Sequence, residues 1–181
     1  MAIVVTSLVG AGNQTASATI AATIGATGVS VGEIILVAIS ADNAGTAGAS
    51  AISSVVDSKS NTYNQIFLQN RTAGSASNDG TTVALYRASA TTALVTSDTV
   101  TVNFSPNVTA KAIRVVKVTS MQPTASSTNT ASGTGTAYTS GGASASITSG
   151  NVIFGVCANE SNTAPANDRS EEHTSELQSR F

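Results

Sequence analysis

Between Asp98 and Phe104 every second residue is apolar. Val100, Val102 and Phe104 fall on one side of an extended chain, Thr99, Thr101 and Asn103 on the other. A period of two marks a strand with one face in a core and is incompatible with a helix over the same residues. Comparable short runs recur over 2–8, 17–24, 33–40, 52–56, 63–68, 81–88, 111–118 and 151–158. Clusters of Gly, Ser, Asn and Asp, which favour turns, separate them. Many short strands with turns between them predict an all-β chain: a two-sheet antiparallel sandwich, Ig-like or jelly-roll-like, with about nine or ten short strands.

The runs differ in how many faces they bury. In 17–24, Ala18, Ile20 and Ala22 alternate with Thr19, Ala21 and Thr23, and in 81–88 Val83 and Leu85 oppose Ala84 and Tyr86. Residues 33–40 and 111–118 are apolar on both faces, which places the first of them centrally in its sheet. Asp57-Ser58-Lys59-Ser60-Asn61 reads as a hairpin loop, and Pro106-Asn107 as a turn. Residues 122–142 are almost wholly Ser, Thr, Ala, Gly and Asn and read as a long low-complexity loop. A single sandwich domain over 1–168 follows. A faint internal echo links 17–20 and 32–42 to 144–147 and 150–159.

The chain changes character at Arg169. Five of the 13 residues from there to Phe181 are charged, against 13 of the preceding 168. Arg169-Ser170-Glu171-Glu172-His173-Thr174-Ser175-Glu176-Leu177-Gln178-Ser179 resembles the translation of a short-read sequencing adapter. Residues 169–181 are therefore read as a non-native tail and excluded from the fold, and the natural chain is expected to continue beyond about Asp168. The only histidine, His173, goes with the tail.

Composition narrows the function. Charged residues make up 10% of the chain and the net charge is −2, with no Lys/Arg cluster. Nucleic-acid binding needs a basic patch to neutralise phosphates, so no nucleic-acid partner is expected. The start, Met1-Ala2-Ile3-Val4-Val5-Thr6, lacks a basic segment followed by a long apolar core, so no secretion signal is expected. The longest strongly apolar run, 34–39, falls far short of the roughly 20 residues of a membrane span. Cys157, the only cysteine, sits in an apolar run and reads as a small buried hydrophobe.

Chemistry is sparse. Without an imidazole, and with Lys only at 59, 111 and 117, the Ser–His–Asp route lacks its base. The acids Glu33, Asp42, Asp57, Asp79, Asp98, Glu160 and Asp168 lie mostly at turns or strand starts, where Asp bonds its own backbone. Cys/His sets for zinc are absent. In the loop 57–61, Lys59 stands where a calcium ligand would be needed. No enzyme activity, catalytic set, metal or cofactor is expected. Arg87 and Arg114 read as cross-strand or rim residues, and the Asn-X-Ser/Thr triplets at Asn13, Asn70, Asn107 and Asn159 as coincidence.

With the strands laid out, residues 31–43, 55–63, 83–88 and 97–104 resemble a loose group of β-sandwich proteins. The second of these segments reads Val55-Val56-Asp57-Ser58-Lys59-Ser60-Asn61-Thr62-Tyr63. The group occurs among tailed-phage virion components and bacterial surface-associated proteins known mainly from environmental DNA. The likeness spans about residues 1–160 and carries strand and turn signatures, not site residues. It implies a non-catalytic structural component of a phage particle, head- or tail-associated. Such a protein would assemble in the host cytoplasm with copies of itself or other virion proteins. The alternative is a bacterial cell-surface adhesion or carbohydrate-binding module facing a host-surface glycan. That reading wants exposed aromatics for stacking on sugars. Tyr63 and Tyr86 fit strand positions, which leaves Tyr138 as the candidate binding residue.

Overall fold

The computed structural model describes residues 3–42, 51–71, 80–119 and 154–156. Among the described residues eight strands form and no helix. They are β1 (Val4–Asn13), β2 (Ser17–Thr23), β3 (Ile34–Asp42), β4 (Ile52–Asp57), β5 (Asn64–Arg71), β6 (Thr81–Ser89), β7 (Thr99–Val108) and β8 (Lys111–Thr119). A five-stranded sheet, β1-β8-β3-β6-β5, packs against a three-stranded sheet, β2-β7-β4, and all pairings are antiparallel. β1 pairs with β8, β2 with β7 and β3 with β6. This nesting is the connectivity of an eight-stranded jelly roll, a long hairpin folded over on itself. Only the innermost pair departs from it: β5 joins β6 at the sheet edge rather than β4.

The alternation read from the sequence determines which residues meet between the sheets. Val100, Val102 and Phe104 of β7 and Ile20 and Ala22 of β2 face Ile35, Val37 and Ile39 of β3, Ala84 and Tyr86 of β6 and Ile113 and Val115 of β8. β3 is buried on both faces and lies at the centre of its sheet, while β8 is buried on one face at Lys111, Ile113 and Val115 and on the other at Val116 and Val118. The edges are treated differently from the middle. β1, β2, β4 and β5 are the four sheet edges, and each carries a register shift, at Ser7/Val9, Ser17/Thr19, Ile52/Ser54 and Gln65/Phe67. The two ladders of β3 run without a break. Bulges twist an edge away from a flat partner strand, so every described edge is blunted against strand addition.

Three expectations need correction. The loop 57–61 does not close a hairpin: β4 and β5 lie in different sheets, so the chain arches across the sandwich there. Pro106 and Asn107 do not turn the chain, because β7 runs through them to Val108 and the turn falls at Thr109 and Ala110. The Ser105–Pro106 peptide is cis. Ala18 does not follow Ile20 and Ala22 inward, since the β2 register shifts at Ser17/Thr19 and leaves it exposed. Of the expected strand over 151–158 only 154–156 are described, and these three residues lie outside any strand. The loop 122–142, Cys157, Tyr138 and the second half of the internal echo lie outside the described residues.

Candidate functional site

Three features of the sandwich bear on function: one end sealed by hydrogen bonds, a buried cation at the other end, and a second apolar face. The sealed end gathers the β2–β3, β4–β5 and β6–β7 connections. Val29 and Leu94 exchange backbone hydrogen bonds of 2.8 and 3.0 Å, and the Gly32 and Ala90 amides reach the Ala90 and Glu33 carbonyls at 2.8 and 2.9 Å. Gly28 is required here: its φ is +55°, and a Cβ would sit 2.8 Å from the Leu94 carbonyl oxygen.

Asp57, at the end of β4, is 9% exposed and accepts hydrogen bonds from the Lys59 and Asn61 amides, the Asn61 Nδ2 and the Tyr63 hydroxyl. Asn61 is 5% exposed. Its Oδ1 accepts from the Thr91 amide and hydroxyl and the Thr92 amide, and its Nδ2 also donates to the Thr92 carbonyl. The loop that could pass for a calcium turn thus points hydrogen-bond donors at its carboxylate, and Lys59 swings out to pair with Asp98 at 3.3 Å. Burial pushes the Tyr63 phenol far above its ordinary value, and the negative charge and hydrogen-bond acceptance of Asp57 add to this. Glu33 is raised by burial, but the Ser30 amide, the Thr119 hydroxyl and the Lys117 ammonium outweigh it and hold the carboxyl below its usual range. Asp98 is lowered by the Val95 amide, with Ser58 and Lys59 assisting. Among the described residues no three His, Cys, Asp or Glu side chains gather as a metal site would require.

At the opposite end Lys111, the first residue of β8, is 2% exposed. Its Nζ donates to the carbonyls of Thr15, Val108 and Thr109 at 2.8, 2.8 and 3.3 Å. Burial lowers the pKa of this amine, and the field of Asp42 opposes that. In the sequence Lys111 stands out only as one of the three lysines, at 59, 111 and 117, and as the start of the 111–118 run. Its place at the head of a strand gave no local signal of burial, because one of the carbonyls that hold it is 96 positions away.

The two outer faces differ in kind. The three-stranded sheet turns Thr19, Ala21, Thr23 and Ser53 to solvent, with Asn103 donating to Ser54 at 2.8 Å. The five-stranded sheet turns out a second apolar cluster: Ile34, Leu36 and Ala38 of β3, Leu85 of β6, and Val116 and Val118 of β8, none more than 6% exposed. Ile3, Val5, Ile66, Phe67, Phe154 and Val156 pack against it. Arg87 and Arg114 stand on the same face, in register with Leu36 and Ala38 of β3. Arg114 lies across its neighbour Gly10, where a Cβ would be 3.0 Å from its guanidinium, and this bears out the cross-strand reading. Arg87 Nε is buried without a hydrogen-bond partner. Of the three tyrosines, Tyr63 is tied to Asp57 and Tyr86 donates to Gln65 at 3.1 Å.

No family model matches the chain, and neither a curated protein nor a solved structure matches it. Among the described residues, no helix is long and apolar enough to cross a membrane.

Proposed function

We propose that the chain is a non-catalytic structural component of a tailed-phage particle, head- or tail-associated, that packs against copies of itself or other virion proteins. The build of the chain carries this reading: a sandwich whose broad sheet has an apolar layer on each side, with its buried polar side chains spent on internal partners. Burying an aliphatic side chain is worth about 1.5–3 kcal/mol. Ile34, Leu36, Leu85, Val116 and Val118 together therefore represent on the order of 10 kcal/mol, comparable to the whole stability of a domain. A sheet that turned this face to water would forfeit a sum of that size. Phe154 and Val156 supply part of the cover. With the edges blunted and the five-stranded face covered, the exposed face of the three-stranded sheet, with Thr19, Ala21, Thr23 and Ser53, is the described sheet surface available for association.

Jelly-roll connectivity is found in viral capsid and in lectin domains, so the fold suits both the virion reading and the glycan-binding alternative. The two described tyrosines favour the first. Tyr63 and Tyr86 spend their hydroxyls on internal partners, and Tyr86 is only 9% exposed, so neither offers a free ring for a sugar. Sequencing the source DNA outward from both ends of the gene tests the proposal. Neighbouring portal, capsid or tail genes are the expected result. A secretion signal upstream with a cell-wall sorting or anchor segment downstream would overturn it in favour of adhesion.

A further inference from the structure

Lys111 heads β8 at the place where the chain crosses between the sheets twice. Thr15 lies on the connection from β1 to β2, and Val108 and Thr109 lead from β7 to β8. A lysine ammonium has three N–H donors and no acceptor. Here its three hydrogen bonds among the described residues all run to backbone carbonyls, one of them from a residue 96 positions away in sequence. A buried charge is costly unless oxygen dipoles or a counter-charge replace its water. Three carbonyl oxygens converging on one point replace it in the way such oxygens surround a bound cation. The neighbouring β3 end is fastened independently: the Asp42 amide donates to the Ala110 carbonyl, and the Ala110 amide to Asp42 Oδ2, each at 2.8 Å. That leaves the carbonyls of Thr15, Val108 and Thr109 with the ammonium as their common partner.

We propose that this end of the sandwich contains a binding site for a singly charged ammonium-type cation, formed by the carbonyls of Thr15, Val108 and Thr109 and filled by the chain's own Lys111. The tethered cation joins the two inter-sheet crossings without an external ion. Emptied by Lys111→Ala, the site takes a free primary ammonium in its place. n-Propylammonium fits because it restores the atoms lost beyond Cβ.

The test is thermal melting of the full chain carrying Lys111→Ala in n-propylammonium chloride, with n-propanol and tetramethylammonium chloride as controls at matched concentration. Propanol matches the length without the charge, and tetramethylammonium carries the charge without N–H donors. The expected result is a lowered Tm that propylammonium alone raises, saturably, toward that of the unsubstituted chain, which itself does not respond. Equal responses to all three, or a variant that melts like the original chain, would overturn the proposal. Should Lys111→Ala fail to fold, the intact chain still decides the matter through the NMR signal of the lysine ammonium groups. A Lys111 signal whose protons exchange slowly with water is expected, and one exchanging as fast as that of exposed Lys59 would refute the site.

Discussion

Asn61 ties two connections of the sealed end together, and its removal tests how that end is held. Its side chain takes part in five hydrogen bonds: with Asp57 Oδ2 at 2.9 Å, the Thr92 carbonyl at 3.0 Å, the Thr91 amide at 2.8 Å and hydroxyl at 3.1 Å, and the Thr92 amide at 2.9 Å. A typical intramolecular hydrogen bond contributes about 0.5–1.5 kcal/mol net, and more where the abandoned partner stays dry. Thr91 and Thr92 are exposed and can turn to water, so the lower half of that range applies to them. Asp57 is buried but keeps Tyr63 and two amides. Asn61→Ala is therefore expected to cost about 2.5–5 kcal/mol. In a chain of this size that lowers Tm by roughly 5–20 °C. Urea denaturation followed by circular dichroism measures it, with Lys59→Ala as the control. Lys59 joins an exposed, solvent-screened ion pair of the kind that contributes little to stability. An Asn61→Ala loss no larger than that of the control would show that the loop is held by its backbone alone, and the argument from the side chain would fall.

Leu36→Ala should cost about 2–4 kcal/mol, close to Ile39→Ala on the opposite face of β3, because both side chains are buried. A loss below about 0.5 kcal/mol in urea melts would mean that the outer face is not covered in solution. Glu33 has a folded pKa below its ordinary 4.5, so its stabilising effect is present above pH 4.5 and disappears as pH falls through the folded value. Glu33→Gln should accordingly lose about 1 kcal/mol at pH 7, with the gap closing in acid. A difference independent of pH would rule out the ionised contact. Gly28→Ala should cost more than Gly32→Ala. Both have positive φ, which costs a side chain about 1–2 kcal/mol, but only Gly28 would also drive a Cβ into a carbonyl. Equal losses in thermal melts would contradict this.

What the sequence disclosed and what it hid have different physical origins. Burial on one face or two is a local property written in side-chain alternation. For this reason the inward face of β7 from Val100 to Phe104 was legible, though its run on to Val108 was not, and β3 could be placed centrally from its unbroken apolar run. The covered outer face was half legible, since apolar residues on both faces of β3 and β8 announce two layers but not which residues form the second. Burial of Lys111 was hidden because a charge at the head of a strand ordinarily reaches water, and the carbonyls that hold it come from 96 residues away as well as from next door.

Asp57 to Asn61 marks the limit of local reading. A loop of Ser, Lys and Asn between two short strands is the same signal whether the strands pair or part company. The arch is distinguished by where its polar groups end up. A hairpin loop at a sheet edge can leave them to solvent, whereas a chain crossing the end of a sandwich must bury some of them over the core. Buried polar groups have to be satisfied within the protein. Asp57 faces inward at the end of β4 and collects two amides of its own loop. Asn61 takes the amides of the β6–β7 connection, and Tyr63 returns its hydroxyl to Asp57 as β5 begins in the other sheet. The spacing Asp57, Asn61, Tyr63 is thus the imprint of a crossing between sheets. The same crossing separates β4 from β5 and frees β5 to widen the five-stranded sheet.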